Sequence, residues 1–352
     1  MSVSDDEAMA VVPGGKDYLA KSYIYGTAQE AWRAAVVDLL ENGVPVHGVK
    51  DQFSVGSAFG ERERGTRELV SVAFALTSPR HRLIRSVHRR VDLGYAIANA
   101  IWTFSGSDDA ESISFYNPGG QIFSDDGARL FAAPGKRIFN SPAGDQFDRA
   151  IQRLKEDATT RRAVISLFNP ADLCAGTRDC SCAVSLQFLL RAGALSCITY
   201  MRSQSALMVL PYDLFLFTLI HEAVALNVGV PPGPYHHFCG SLHYYEDEED
   251  LVQAVAAAPE PPAQEMPAMQ AMSAELRLQL AAAERAVRRQ LSERPHTPID
   301  PHPFELDAYW TDLLRAMIVG VRQRRGLPQP EEELAGLSPI YRRVLVERQA
   351  RG

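Results

Sequence analysis

Residues 182–203 read CAVSLQFLLRAGALSCITYMRS and hold two β-type runs, Ala183 to Leu190 and Leu195 to Met201. Their apolar positions alternate, as in strands that bury one face. A third run, Ala163 to Phe168, lies just upstream. Downstream, residues from about Tyr212 to Leu226 form an apolar stretch too long for a strand, with Gly229 near its end, and this reads as a buried helix. Three strands followed by a buried helix place the core here and give a mixed α/β class.

Outward from that centre the pattern continues. Gln29–Leu40 (QEAWRAAVVDLL) has helical spacing ended by Asn42-Gly43, Leu69–Leu76 reads as a strand, and Val91–Phe104 as an apolar helix. Asp145–Asp157 (DQFDRAIQRLKED) is an amphipathic helix, and Ser124–Gly127 is a turn. Four regions are expected: a flexible tail over 1–20, a catalytic domain over 21–250, an Ala/Pro-rich linker over 251–272, and a helical extension over 273–352.

With 352 residues, 46% hydrophobic and 22% charged, composition is ordinary for a globular chain, so the chemistry must come from motifs. No run is long and apolar enough for a membrane span, and the acidic start MSVSDDEAMAVVPGG is unlike a signal peptide, so a cytoplasmic protein is expected. A net charge of −7 argues against nucleic-acid binding, although a small anion needs only a few converging arginines. Five cysteines without an export signal point to free thiols rather than disulfides.

One of those thiols, Cys182 in DCSCAVSLQF (179–188), sits just before a strand, and Arg202 follows twenty residues on in YMRSQS (200–205). A guanidinium lowers a thiol's pKa and raises its thiolate fraction. Taken alone, a cysteine beside a strand reads more readily as a small core residue. Arg161-Arg162, between a helix and a strand, suits bidentate phosphate recognition or a solvated loop. Arg64, Arg161, Arg162 and Arg202 all lie near predicted element boundaries, where side chains can converge.

From Arg64 to Tyr245 the chain resembles the thymidylate synthase family, which includes the nucleotide 5-hydroxymethylases. The resemblance is carried by ERGTRELVSVAFALTSPRHRLI, AIWTFSG, SFYNP with FSDDG, DQFDRAIQRLKEDATTRRAVIS, CAVSLQF, LSCITYMRS, LPYDLFLFTLIHE and GSLHYY, in order. SFYNP and the helical C-terminal extension look closer to phage-like and antibiotic-pathway members. The resemblance implies a large mixed sheet flanked by helices, an obligate homodimer, and 5,10-methylenetetrahydrofolate as one-carbon donor without a metal. By position it makes Cys182 the nucleophile that adds to carbon 6 of a pyrimidine. It assigns Arg202, Ser203 and Arg64 to the nucleotide phosphate, with Arg161 and Arg162 reaching it from the neighbouring subunit. His243 and Tyr245 match the pair at the sugar hydroxyl, and Gln187 matches a pocket-lining glutamine.

Asp213, in LPYD, stands where uracil-specific members carry asparagine. An asparagine amide can donate to uracil O4 and accept from N3–H, whereas an ionised carboxylate only accepts and suits the amino group of cytosine. As a helix N-terminal aspartate it could also serve only as a cap. Other positions depart from the family. Asn99 replaces a glutamate that organises proton transfers, Pro134 a tyrosine, Ile138 a tryptophan, Ala183 a histidine and Ser205 an aspartate. The expectation is a CMP or dCMP 5-hydroxymethylase. The alternatives are a C5-methyltransferase acting on dUMP or dCMP, or a nucleotide-binding homologue altered in catalysis. His236, His237 and Cys239 lack paired zinc-site spacing, and Gly233-Pro234 and Pro118-Gly119-Gly120 read as turns rather than a dinucleotide loop.

Overall fold

In a computed structural model, residues 21–49, 64–174 and 177–346 are described; the expected tail over 1–20 lies outside them. Among the described residues one mixed sheet of seven strands forms the centre: β1 (Lys21–Tyr25), β2 (Val44–Val49), β3 (Arg64–Leu76), β4 (Val164–Ser166), β5 (Ala183–Arg191), β6 (Ala194–Ser205) and β7 (Pro232–Tyr245). The order is β1-β3-β7-β6-β5-β4, with β2 added to β3. β3–β7, β6–β5 and β5–β4 are antiparallel, while β1–β3 and β7–β6 are parallel. The three expected strand runs are β4, β5 and β6. The longest strand, β7, falls where Gly233-Pro234 had suggested a turn. Pairing with β3 on one side and β6 on the other supplies the hydrogen bonds that override that local signal.

The helices, in chain order, are α1 (Ala28–Asn42), α2 (Leu93–Phe104), α3 (Ala110–Tyr116), α4 (Pro134–Phe139), α5 (Gln146–Glu156), α6 (Ala171–Cys174), α7 (Leu210–Val228), α8 (Glu249–Ala257), α9 (Ala274–Glu293), α10 (Ala308–Arg325), α11 (Glu331–Ala335) and α12 (Pro339–Leu345). Local chemistry sets their ends. Thr27 accepts from the Glu30 amide while the Glu30 carboxylate accepts from the Thr27 amide, a capping box opening α1. Gly229 closes α7 at φ 90°, a conformation that suits a residue without Cβ.

Alternation along β6 buries Leu195, Cys197, Thr199 and Met201 against the helices, with α7 packed across β6 and β7. On the other face Ile198, Tyr200 and Phe238 remain half-exposed, and Val164 is 42% exposed. Helix α7 is apolar all round and buried from Leu214 to Ala225. Inside it, Glu222 is ion-paired with Arg82, both almost fully buried, and its second oxygen accepts from the Met269 amide at 3.1 Å.

That last contact belongs to the stretch expected as a linker. It opens with α8, and residues 258–273 then carry no helix or strand, yet Met266, Met269 and Met272 are buried in the core. Unbranched methionines fill irregular gaps, so this segment packs without regular structure. Beyond it, α10 crosses α2 at Gly94 and Gly320. A Cβ on Gly320 would lie 2.8 Å from the Gly94 backbone, so only glycine permits the crossing. Asp145, the cap of α5, is held by Arg277 of α9 at 3.0 Å.

Substituting Arg82→Met leaves the Glu222 carboxylate buried and unpaired, which should cost about 3–5 kcal/mol. Urea denaturation measures it; a loss below about 1 kcal/mol would mean the pair does not hold α7 to the chain around it.

Candidate active site

At the start of β5, the Cys182 carbonyl accepts from the Arg202 amide at 2.8 Å, the pairing that aligns β5 with β6. The Arg202 side chain folds back over the same turn. Its Nε donates to the Ser181 carbonyl at 2.8 Å, one Nη donates to the Cys180 carbonyl at 3.1 Å, and that Nη lies 3.7 Å from Cys182 Sγ. On the other side of β6, Gly240 brings β7 so close that a Cβ there would meet the Arg202 carbonyl at 3.0 Å. Burial pushes the Cys182 thiol up to about 11, against the pull of Arg202, and Asp213 is near enough to push it further up.

Asp213 lies in the first turn of α7, after Pro211. Gln204 Nε2 on β6 donates to its Oδ2 at 2.9 Å. Burial pushes the Asp213 carboxyl up to about 7, with the Gln204 hydrogen bond pulling down. The carboxyl therefore changes between donor and acceptor near neutral pH. Next to it, the Tyr212 ring meets Tyr95 of α2 edge to face at 5.0 Å, and Tyr212 Oη accepts from the Asp92 amide at 3.0 Å. Tyr95 also bonds the Asn117 side chain, and burial pushes its phenol up to about 12. Asn99 is half-buried one helical turn beyond Tyr95 on the same face of α2.

Cys182, Arg202, Ser203 and Asp213 thus cluster where the start of β5, the end of β6 and the N-terminus of α7 meet. Ser203 pairs with Ser241 on β7, and His243 pairs with Ser205 two residues further along. His243 and Tyr245 rings lie 5.5 Å apart. Arg64 is elsewhere. It is ion-paired with Asp247 and its guanidinium sits 3.9 Å over the Tyr245 ring. Arg64 precedes Val70, the β3 partner of Ser241, by six residues, about 20 Å of strand. Gln187 donates its amide to the Arg161 carbonyl at 3.1 Å. Arg161 and Arg162 are exposed, and neither guanidinium has a hydrogen-bond or ion-pair partner among the described residues.

The departures from the family pattern are structurally quiet. Pro134 opens α4, Ile138 and Ala183 are buried, and the Ser205 hydroxyl caps the turn into α7 by accepting from the Met208 amide at 3.2 Å. Gln204, Tyr95 and Tyr212 were not singled out from sequence. The available signals were small: Gln204 lies two residues past Arg202, Tyr95 four before Asn99, and Tyr212 beside Asp213. Among the described residues no group of His, Cys, Asp or Glu side chains could hold a metal ion, and no helix is long and apolar enough to cross a membrane.

Comparison with known proteins identifies a family and a fold. Residues 74–287 match the family model described as thymidylate synthase. Thymidylate synthase 1/2 of Encephalitozoon cuniculi (strain GB-M1) is 34% identical over 31% of this chain and 37% of its own length. The deoxyuridylate hydroxymethyltransferase of Bacillus phage SP01 is 29% identical over 55% of this chain and 54% of its own. Thymidylate synthase of equine herpesvirus 2 (strain 86/87) is 32% identical over 33% of this chain and 40% of its own. The chain thus spans about half or less of these relatives. The thermostable thymidylate synthase A from Bacillus subtilis has the same fold, with a TM-score of 0.54 at 19% identity over 67% of this chain and 86% of that one.

Because the Cys182 thiol titrates near 11, its alkylation by iodoacetamide, read by peptide mass spectrometry, should rise about tenfold per pH unit through the neutral range without a plateau. Arg202→Met should slow alkylation at any one pH, and Arg202→Lys should recover part of it. Equal rates in Arg202→Met would remove the guanidinium's electrostatic role.

Proposed function

The chain belongs to the thymidylate synthase family, and we propose that it transfers a one-carbon unit to carbon 5 of a cytosine nucleotide, CMP or dCMP, giving the 5-hydroxymethyl product. The observation that carries the choice of base is Asp213, a carboxyl held by Gln204 close to the Cys182 thiol. As a carboxylate it accepts from the exocyclic amino group of cytosine, where uracil O4 would be left without a donor. A mispaired polar group in such a site costs about 1–3 kcal/mol, roughly tenfold to a hundredfold in preference.

In this reading Arg202 and Ser203 hold the nucleotide phosphate and orient carbon 6 toward Cys182 Sγ. Arg161 and Arg162, whose guanidinium groups have no partner among the described residues, fit the role of arginines lent to a neighbouring copy's site, and the half-exposed apolar face around Ile198, Tyr200 and Phe238 fits a homodimer interface. His243 and Tyr245 are the sugar-side pair. Gln187 supports the Arg161 loop rather than the base, and Arg64 joins the phosphate group only if it leaves Asp247.

The Cys182 thiolate forms a bond to carbon 6, and the carbon 5–carbon 6 π pair becomes available at carbon 5. The co-substrate, 5,10-methylenetetrahydrofolate, supplies an electrophilic one-carbon unit. The aromatic wall of Tyr95 and Tyr212 suits a flat heterocycle stacked over the base. Carbon 5 bonds to the methylene carbon and loses its proton, and the methylene–nitrogen bond then breaks, releasing tetrahydrofolate and leaving an exocyclic methylene on carbon 5. Water then adds to the exocyclic methylene as the thiolate leaves carbon 6. Asn99 cannot ionise, so it can position water by its amide but cannot carry the proton. Tyr95, held protonated, can donate.

The second reading is methyl transfer to a uracil nucleotide. What favours it is the Asp213 carboxyl itself, which when protonated can donate to O4.

With carbon-5-tritiated CMP, dCMP, UMP and dUMP, tritium release should require the folate, favour the cytosine nucleotides and vanish in Cys182→Ala; product mass separates hydroxymethyl from methyl. No release from any nucleotide, with tight binding intact, would leave a binding protein. Since the Asp213 carboxyl titrates near 7, the cytosine-to-uracil ratio of kcat/KM should rise as pH increases through about 7 and level off above it. Asp213→Asn should reverse the preference and flatten that pH dependence.

A further inference from the structure

Helix α10 lies wholly beyond the residues 74–287 that match the family. Its last turn nevertheless reaches the wall of the site. The crossing at Gly94 and Gly320 brings the two backbones into contact, and Arg324 lies one helical turn past Gly320 on the same face. Arg324 is thereby set at the N-terminus of α2. One Nη donates to Asp92 Oδ2 at 2.9 Å and the other to Asn117 Oδ1 at 3.3 Å.

Both partners act on the tyrosines beside Asp213. Asp92 caps α2 by accepting from the Tyr95 amide at 3.0 Å, and its own amide donates to Tyr212 Oη. Asn117 bonds the Tyr95 side chain. A single guanidinium therefore ties α10 to both sides of the Tyr95–Tyr212 pair. Helix stability does not account for it, because a cation at a helix N-terminus opposes the helix dipole. The fork shape favours arginine: its donors, held in one plane, bridge a carboxylate and an amide, whereas the donors of a lysine are not fixed in such a fork.

We propose that Arg324, supplied by the C-terminal extension, is a positioning residue for base recognition, holding Tyr95 and Tyr212 where they fix Asp213 against the pyrimidine. This rests on the pyrimidine-reading role proposed for Asp213. It also gives the extension a function: α10 completes one wall of the nucleotide site.

The test compares full-length wild type with Arg324→Met, Arg324→Lys and Asp92→Asn; the asparagine keeps the α2 cap but removes the charge that Arg324 meets. Tritium release is measured from the four nucleotides, along with nucleotide binding by calorimetry and Tm. Arg324→Met is expected to lose about tenfold to hundredfold in kcat/KM for the preferred base and to narrow the cytosine-to-uracil ratio. Inhibition by inorganic phosphate, which reports on Arg202, should stay within twofold. Arg324→Lys should recover part of the loss, and Asp92→Asn should narrow the ratio in the same direction. An unchanged base ratio in Arg324→Met at unchanged Tm overturns the proposal, and so does a loss equal for all four nucleotides. Should Arg324→Met fold poorly, the base ratio of Arg324→Lys and Asp92→Asn decides in the same way. A wild type that neither releases tritium nor binds any nucleotide overturns the proposed function and this inference with it, whereas an active wild type matched by Arg324→Met overturns this inference alone.

Discussion

Helix α7 is apolar on every side, and the rest of the molecule is arranged to cover it. The sheet closes one side through β6 and β7, α1, α2 and α5 close others, and the methionine-bearing segment after α8 reaches it through the bond from Met269 to Glu222. A helix buried this completely cannot slide, because any shift would expose apolar surface and strand the Arg82–Glu222 pair. Its N-terminus is therefore a fixed point. Asp213 stands there, and the ends of β5 and β6 deliver Cys182 and Arg202 beside it.

Electrostatics in this cluster are a balance. The thiol and the carboxyl both sit in surroundings that disfavour charge, and the Asp213 carboxylate pushes the thiol further from ionising. Arg202 is the cation that opposes this, and it also braces the 180–182 turn by three hydrogen bonds. One residue thus sets the position and the charge of the nucleophile. A bound phosphate would share that guanidinium, so nucleotide binding and thiolate formation are coupled through it.

The C-terminal part is integral to this arrangement. α9 holds the cap of α5 through Arg277 and Asp145, its Glu284 accepts from the buried Tyr116 hydroxyl of α3 at 2.7 Å, and α10 meets α2 backbone to backbone. A stretch whose Ala, Pro and Met composition resembles a linker becomes core because its methionines meet a surface that needs filling. Composition describes what a segment does when alone, and here it is not alone.

What the sequence determined by itself were the elements with strong local periodicity. The strands after Ala163 and the helices α1, α2, α5 and α7 could be read from spacing and residue type, since these signals lie within one turn or one strand. The C-terminal extension could be read only as helical, and the stretches around Cys182, Arg202 and Asp213 were legible through their resemblance to the family. β7 could not, because Gly233-Pro234 carries a turn signal that only the two neighbouring strands override. The pairing of Arg64 with Asp247 joins residues 183 positions apart, and Arg324 meets Asp92 across 232. Gln204 met Asp213 only once β6 and α7 had packed. Contacts between groups so distant along the chain leave no periodic trace in it, so the tertiary structure alone decided which side chains surround the thiol and the carboxyl.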